Sequence, residues 1–148
     1  GVCLNIFANH IYYWGDIHLT RTLGFDRCQR LEPAASADRL GIPFGIHCDA
    51  PVTPLSPLFT AWCATTRETA GGTSLGDAEK ISRARALEAI TLGAAYTLRL
   101  EDRIGSLEPG KWADITVLDE DPLTSETPLK DIRVHDTLLG GYPTGNGE

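Results

Sequence analysis

The sequence of 148 residues contains no methionine, not even at position 1. A natural start is therefore missing, and we expect either a processed chain or a piece of a longer protein. No apolar run approaches the roughly 20 residues that a membrane-spanning helix needs. The N-terminus also lacks the charged segment and the apolar segment that together mark a signal peptide. These absences predict a cytoplasmic protein that does not insert into a membrane.

Basic residues are fewer than acidic ones. The sequence has 13 Lys and Arg and 20 Asp and Glu, which gives a formal net charge of −7. A chain without a basic cluster is a poor candidate for binding nucleic acid or an anionic membrane surface. Hydrophobic residues make up 42% of the chain and charged residues 22%, which is typical of a folded globular protein. The length corresponds to about one domain.

Cysteine pairs with the spacing C-x-x-C are absent, although the sequence contains four cysteines. Their absence excludes a self-contained zinc knuckle, and the wide separation of the four residues argues against a disulfide framework. We therefore expect buried thiols in a reducing compartment. The four residues are Cys3, Cys28, Cys48 and Cys63.

Two apolar runs predict neighbouring parallel strands. Residues 2–8 and 42–48 are apolar on both faces, as are the strands of a parallel sheet that is covered on both sides. Between them, the polar and aromatic stretch 9–16 predicts a loop, and residues 33–40 predict a helix with proline in its first turn. The order of strand, loop, helix and strand is that of a βαβ unit with a right-handed crossover.

Further helices are predicted before residue 100. Residues 54–69 form one candidate, and residues 82–98 form the strongest, because their apolar side chains recur every three to four positions. Ser82 is suited to cap the second helix at its N-terminus. These elements complete an α/β part over residues 1–100.

The pattern changes after residue 100. Residues 113–118 and 132–139 alternate or are rich in β-branched side chains, which predicts two strands. We therefore predict a small all-β part over residues 101–141. The glycine-rich residues 142–148 predict a flexible tail.

A phosphate-binding loop is rejected although residues 105–111 have its spacing, G-x-x-x-x-G-K. Trp112 has no hydroxyl group to bind magnesium where such loops have Ser or Thr, and Pro109 removes a backbone donor from the cradle. A strand is predicted to follow, whereas a phosphate-binding loop leads into a helix.

Polar side chains at the ends of the two parallel strands are the candidate site. His10 and Asp49 lie at the C-terminal ends, where α/β sheets place their chemistry. The alternation of a strand puts Gly45, His47 and Asp49 on one face. Spacing alone leaves open whether Asp49 is a turn residue or a catalytic one. It also leaves open whether His47 packs in the core or contacts a substrate.

Three segments resemble the amidohydrolase superfamily, in the branch called amidohydrolase family 3 (YtcJ-like metal-dependent hydrolases). Residues 45–52, GIHCDAPV, resemble its HSDAPV segment, with Cys48 where Ser is common. Residues 90–119 are similar to its C-terminal signature, and residues 9–16, NHIYYWGD, match one subgroup. The resemblance covers nearly the whole chain.

The resemblance implies an α/β fold, namely the last strands and helices of a (β/α)8 TIM-type barrel followed by part of a small β-sandwich. The two parallel strands then correspond to barrel strands seven and eight. The H-x-H pair of the family, its bridging lysine and its two further metal-binding histidines have no counterpart in this sequence. The resemblance therefore implies that the chain is the C-terminal portion of a longer protein.

The resemblance also implies a divalent metal, expected to be zinc, with one or two ions in each site. Such an ion lowers the pKa of a bound water, and the hydroxide attacks an amide-like carbon. Asp49 matches the residue that binds the metal and shuttles the proton. His10 and His47 are implied to bind the substrate.

The expected function is hydrolysis of C–N bonds other than peptide bonds, in small amide-like molecules. One alternative is a non-catalytic or regulatory protein that keeps the scaffold, and another is a ring deaminase of the same superfamily. The expected partners are the missing N-terminal part of the protein and a second copy in a homo-oligomer.

Overall fold

The structure, a computed structural model, describes residues 1–145, and its centre is a pair of short parallel strands. Strand β1 comprises Leu4–Phe7 and strand β2 comprises Phe44–His47. Their register places Phe7 directly beside His47. The predicted parallel pair is therefore confirmed, and both strands end at the same edge.

The stretch predicted to be a loop after β1 is a helix, α1, over Asn9–Ile17. Five residues that follow it, His18–Thr22, continue the rotation as a π-helical turn. Three of the helical residues are buried, Asn9, Ile11 and Gly15. The loop prediction was wrong because only one narrow face of α1 is buried, and polar and aromatic side chains on its other faces hide the periodicity.

The helices that surround the strands are short. They are α2 (Phe25–Cys28), α3 (Ala34–Arg39), α4 (Pro57–Thr66), α5 (Arg83–Ile90) and α6 (Leu92–Thr97). The helix predicted over 33–40 corresponds to α3, and the one over 54–69 corresponds to α4.

The single helix predicted over 82–98 is two helices, because the backbone turns sharply at Thr91 between α5 and α6. The turn lets α6 approach β2 very closely. A Cβ atom on Gly93 would lie 2.4 Å from the carbonyl oxygen of Phe44, and one on Gly45 would lie 3.0 Å from Cα of Ala94. Backbone contact between α6 and β2, which periodicity does not reveal, thus sets the break.

One main core lies between the strand pair and the helices. It combines side chains of β1 and β2 with small residues of α3, α4 and α5, which allow the helices to pack closely. Its buried members include Ile6, Phe44, Ile46, Ala61, Cys63, Ala86, Ala89 and Leu129.

A separate three-stranded antiparallel sheet follows the helices. It consists of β3 (Ile115–Leu118), β4 (Val134–Leu139) and β5 (Tyr142–Pro143), in that order. The two predicted strands are thus present. The stretch predicted to be a flexible tail begins with β5, which pairs with β4, and its last residues, 146–148, lie outside the described residues.

All four cysteines are free thiols, and the expectation that they are buried was wrong for one of them. Cys28, Cys48 and Cys63 are buried, whereas Cys3 is exposed. Burial raises the pKa of the Cys63 thiol to about 12, so this thiol stays protonated. Within residues 1–145, the helices are too short or too polar to cross a membrane.

Candidate active site

The ring of Phe7, at the end of β1, lies between two imidazoles. The His10 ring stacks against it with a centroid distance of 5.4 Å and the His47 ring with one of 5.3 Å. His10 reaches this position from the first turn of α1, and His47 is the last residue of β2. The two histidines predicted to bind substrate are therefore brought together at the carboxyl edge of the strands.

Asp49 lies two residues beyond β2, exposed to solvent, with a left-handed backbone conformation (φ +55°) that Asp tolerates better than most residues. Its backbone N–H donates a hydrogen bond to Nδ1 of His47 over 3.1 Å. Its carboxylate makes no hydrogen bond or ion pair with any other residue in 1–145. Asp49 is thus linked to His47 through its backbone, while its side chain remains available to a ligand.

The hydrogen bond from Asp49 fixes the tautomer of His47. Because Nδ1 of His47 accepts a hydrogen bond, the neutral ring must carry its proton on Nε2. His47 therefore presents an N–H donor on its outer nitrogen. This ring, Leu55 and Ile90 are among the residues that line an open cleft of about 180 Å³.

The loop that carries Asp49 is tied to the start of α1 by a buried amide. Asn9 is fully buried and donates from Nδ2 to Oγ1 of Thr53 over 3.0 Å. The Thr53 hydroxyl donates in turn to the carbonyl of Cys48. Sequence reasoning missed this pair, although a polar residue directly after an apolar strand was the available signal.

A second polar cluster surrounds His10. Its Nδ1 lies 3.0 Å from Oε1 of Glu32, and its Nε2 lies 3.0 Å from Nε2 of His18. Oε2 of Glu32 accepts a hydrogen bond of 3.2 Å from the backbone N–H of Phe7. His18, the first residue of the π-helical turn, thus contacts His10 directly. Burial, and then the charge of His10, lower the pKa of His18.

The residues described do not by themselves form a metal site. Within 1–145, no three His, Cys, Asp or Glu side chains lie close enough together to hold an ion. Asp49 contributes one unengaged carboxylate, whereas a zinc site needs about three or four protein ligands. The metal function implied for Asp49 therefore needs ligands beyond those described.

Two known proteins illustrate what this chain is similar to, one in sequence and one in fold. The chain is 32% identical over 113 residues to an N-substituted formamide deformylase from Arthrobacter pascens, covering 76% of this chain and 21% of that protein. Its fold matches that of an adenosine deaminase from Xanthomonas campestris with bound zinc, at 24% identity and a TM-score of 0.60, covering 85% of this chain and 29% of that one. The second likeness concerns the fold alone.

A third comparison gives a better structural match. A metal-dependent hydrolase from Pyrococcus horikoshii superposes with a TM-score of 0.76 at 25% identity, covering 89% of this chain and 26% of that chain. The chain thus spans about a fifth to a quarter of the length of the deformylase and of this hydrolase. The match to the family covers nearly every residue of this chain, a larger share than any of these three proteins covers. Residues 1–144 match the amidohydrolase family, and the chain belongs to that family.

Proposed function

We propose that this chain supplies the last strand ends of the active site of a metal-dependent hydrolase that cleaves C–N bonds other than peptide bonds. The observation that carries the proposal is the unengaged carboxylate of Asp49, which follows β2 at the edge where His10 and His47 flank Phe7. Family membership and the 32% identity to a formamide deformylase support the reaction class.

The remainder of the site comes, in this proposal, from polypeptide outside this sequence. The chain covers only 21% of the deformylase and 26% of the Pyrococcus hydrolase. Residues 1–100 then form the last part of a (β/α)8 barrel, and residues 101–141 form part of a small β-sandwich. Two strands, β1 and β2, cannot close a barrel. The polypeptide outside this sequence would therefore supply both the further strands and the missing metal ligands.

The chemistry divides between the metal and the residues of this chain. A divalent ion, which we propose to be zinc as in the Xanthomonas neighbour, would supply hydroxide near neutral pH, because a bound ion lowers the pKa of its water. The Asp49 carboxylate would help to hold the ion together with ligands from outside this sequence, and it would accept the proton of the attacking water and pass it to the leaving nitrogen. His47 donates from Nε2 to an acceptor on the substrate, and His10 contacts the substrate from the opposite face of Phe7.

The experiment uses the full-length protein that contains this chain. It is incubated with a panel of N-substituted formamides, other secondary amides and ring amines, and release of amine, formate and ammonia is measured. Amine and formate without ammonia are the expected products. Ammonia from a ring amine would instead identify a deaminase, and no turnover of any compound by the metal-loaded protein would favour the non-catalytic alternative.

The first prediction concerns Asp49 in the same assay. Asp49→Asn is expected to lower kcat by at least about 100-fold, because an amide cannot take up the proton. Thr124→Ala, a change on an exposed loop far along the chain, serves as the control and keeps wild-type kinetics. A kcat near that of the wild type in Asp49→Asn would contradict the assignment.

A further inference from the structure

We propose that Glu32 is a positioning residue for the candidate site and that it holds His10 in the tautomer with the proton on Nδ1. The consequence for the substrate is that His10 offers a hydrogen-bond acceptor, not a donor, at Nε2. This inference rests on the proposed function only for the statement that a substrate reaches His10; the assignment of the tautomer is independent of it.

The geometry of the Glu32 carboxylate carries the assignment. One oxygen lies 3.0 Å from Nδ1 of His10, and the other accepts the backbone N–H of Phe7 at 3.2 Å. An ionised carboxylate can only accept hydrogen bonds. The proton between Glu32 and a neutral His10 must therefore lie on Nδ1, which leaves the lone pair on Nε2.

The hydrogen bonds on the Nε2 side of His10 agree with this tautomer. Nε2 of His18 lies 3.0 Å from Nε2 of His10, so His18 donates from that nitrogen when both rings are neutral. Nδ1 of His18 then has a lone pair, which accepts the hydroxyl of Thr22 at 2.6 Å. One consistent set of donors thus runs from Thr22 through His18 and His10 to Glu32.

A buried arginine holds Glu32 in place. The backbone of Glu32 is left-handed (φ +47°), which is costly for a residue with a side chain. Arg67, only 1% exposed, donates to the carbonyls of Glu32 (3.0 Å), Leu31 (2.5 Å) and Leu75 (2.6 Å). The interior of the protein therefore fixes the segment that carries the carboxylate, and Glu32 is not a freely rotating surface side chain.

The acceptor on His10 predicts a class of substrate. In the structure the Nε2–H of His18 occupies this acceptor, so a ligand that takes its place must offer an N–H or O–H group. A secondary amide has such an N–H, whereas a tertiary amide has none. His47 presents a donor, so it recognises a hydrogen-bond acceptor on the substrate, whereas His10 recognises a donor.

The test is NMR of the full-length protein labelled with 15N-histidine. The ring signals of His10 are identified by their loss in His10→Gln, and the spectra are recorded near pH 8.5, about two units above the ordinary pKa of histidine. The wild type is expected to show the Nδ1–H tautomer. Glu32→Gln keeps an oxygen acceptor and retains this tautomer, whereas Glu32→Ala changes it to Nε2–H. The matched control is Glu68→Ala, an exposed glutamate.

Two outcomes would overturn the proposal: an Nε2–H tautomer of His10 in the wild type, or an unchanged Nδ1–H tautomer in folded Glu32→Ala. Should Glu32→Ala fail to fold, the wild-type and Glu32→Gln spectra still decide. The kinetic readout is the ratio of kcat/KM for a secondary amide to that for a tertiary amide, which Glu32→Ala should lower about tenfold, the value of one hydrogen bond. Absence of all turnover would contradict the proposed function but not the tautomer.

Discussion

The two histidines at this site offer opposite hydrogen-bonding groups, because each has a different neighbour. The carboxylate of Glu32 makes Nδ1 of His10 a donor, and the backbone N–H of Asp49 makes Nδ1 of His47 an acceptor. The outer nitrogen, Nε2, is therefore an acceptor in His10 and a donor in His47. The deciding neighbour of His10 is Glu32, 22 positions away in the chain, and that of His47 is two positions away. Composition and motifs alone could therefore not assign the two tautomers.

Glu79 is a buried carboxylate, and it stabilises the first turn of α3 from outside the helix. It accepts the backbone N–H of Ser36 at 2.7 Å and also the Ser36 hydroxyl, and Arg39 lies 3.6 Å away. Burial, the largest effect, raises the pKa of Glu79, but the two Ser36 hydrogen bonds and the charges of Arg39 and Arg67 together lower it below its ordinary 4.5. The net direction makes this contact dependent on pH.

Glu79→Ala is therefore expected to lower the free energy of unfolding by about 1–3 kcal/mol at pH 7, the value of hydrogen bonds to a charged group. A carboxylate whose pKa is depressed in the folded state stabilises above its ordinary pKa and loses that contribution as the pH falls through the folded value. Urea unfolding at several pH values should show that the gap between wild type and variant shrinks below about pH 4.5. A gap that stays constant with pH would contradict the role of the charge.

At the scale of elements, the break between α5 and α6 decides how closely a helix can approach the strands. The carbonyl of Phe44 occupies the space that a side chain on Gly93 would need. This contact holds α6 against β2 just upstream of His47 and Asp49. The predicted helix over 82–98 was wrong at this point because periodicity registers which residues are apolar, not how near two backbones come.

Gly93→Ala should consequently destabilise the protein by about 1–3 kcal/mol, since the added methyl group meets backbone that cannot rotate away. The matched control is Gly1→Ala, where no atom lies within 4 Å of the added group. Thermal unfolding followed by circular dichroism measures both variants. Equal midpoints for Gly93→Ala and the wild type would show that α6 does not depend on this close approach.

At the scale of the whole molecule, the strand pair has too few neighbours to be a complete sheet, and the described residues have too few ligands to be a complete metal site. The sheet of the α/β part has two strands, β1 and β2, and no group of three metal-binding side chains is present in residues 1–145. Both observations agree with the chain matching about a quarter of the length of the Pyrococcus hydrolase.

The 148-residue chain expressed alone is therefore expected to bind far less than one zinc ion per molecule. Emission spectroscopy of the purified chain measures the zinc content, and the full-length protein that contains it is the positive control. Light scattering on the same sample reports self-association, which unpaired strand edges promote. A monomer with one tightly bound zinc would contradict the assignment of the ligands.

The sequence by itself determined the two parallel strands, the antiparallel strands β3 and β4, and the position of Asp49 and His47 at a strand end. These follow from local patterns, because side-chain alternation and apolar runs are properties of consecutive residues. Only the tertiary structure brought Glu32, His18 and Arg67 to His10, and Thr53 to Asn9. Such contacts join residues 8 to 44 positions apart, and they depend on how α1, α4 and the loops pack, which no local pattern encodes.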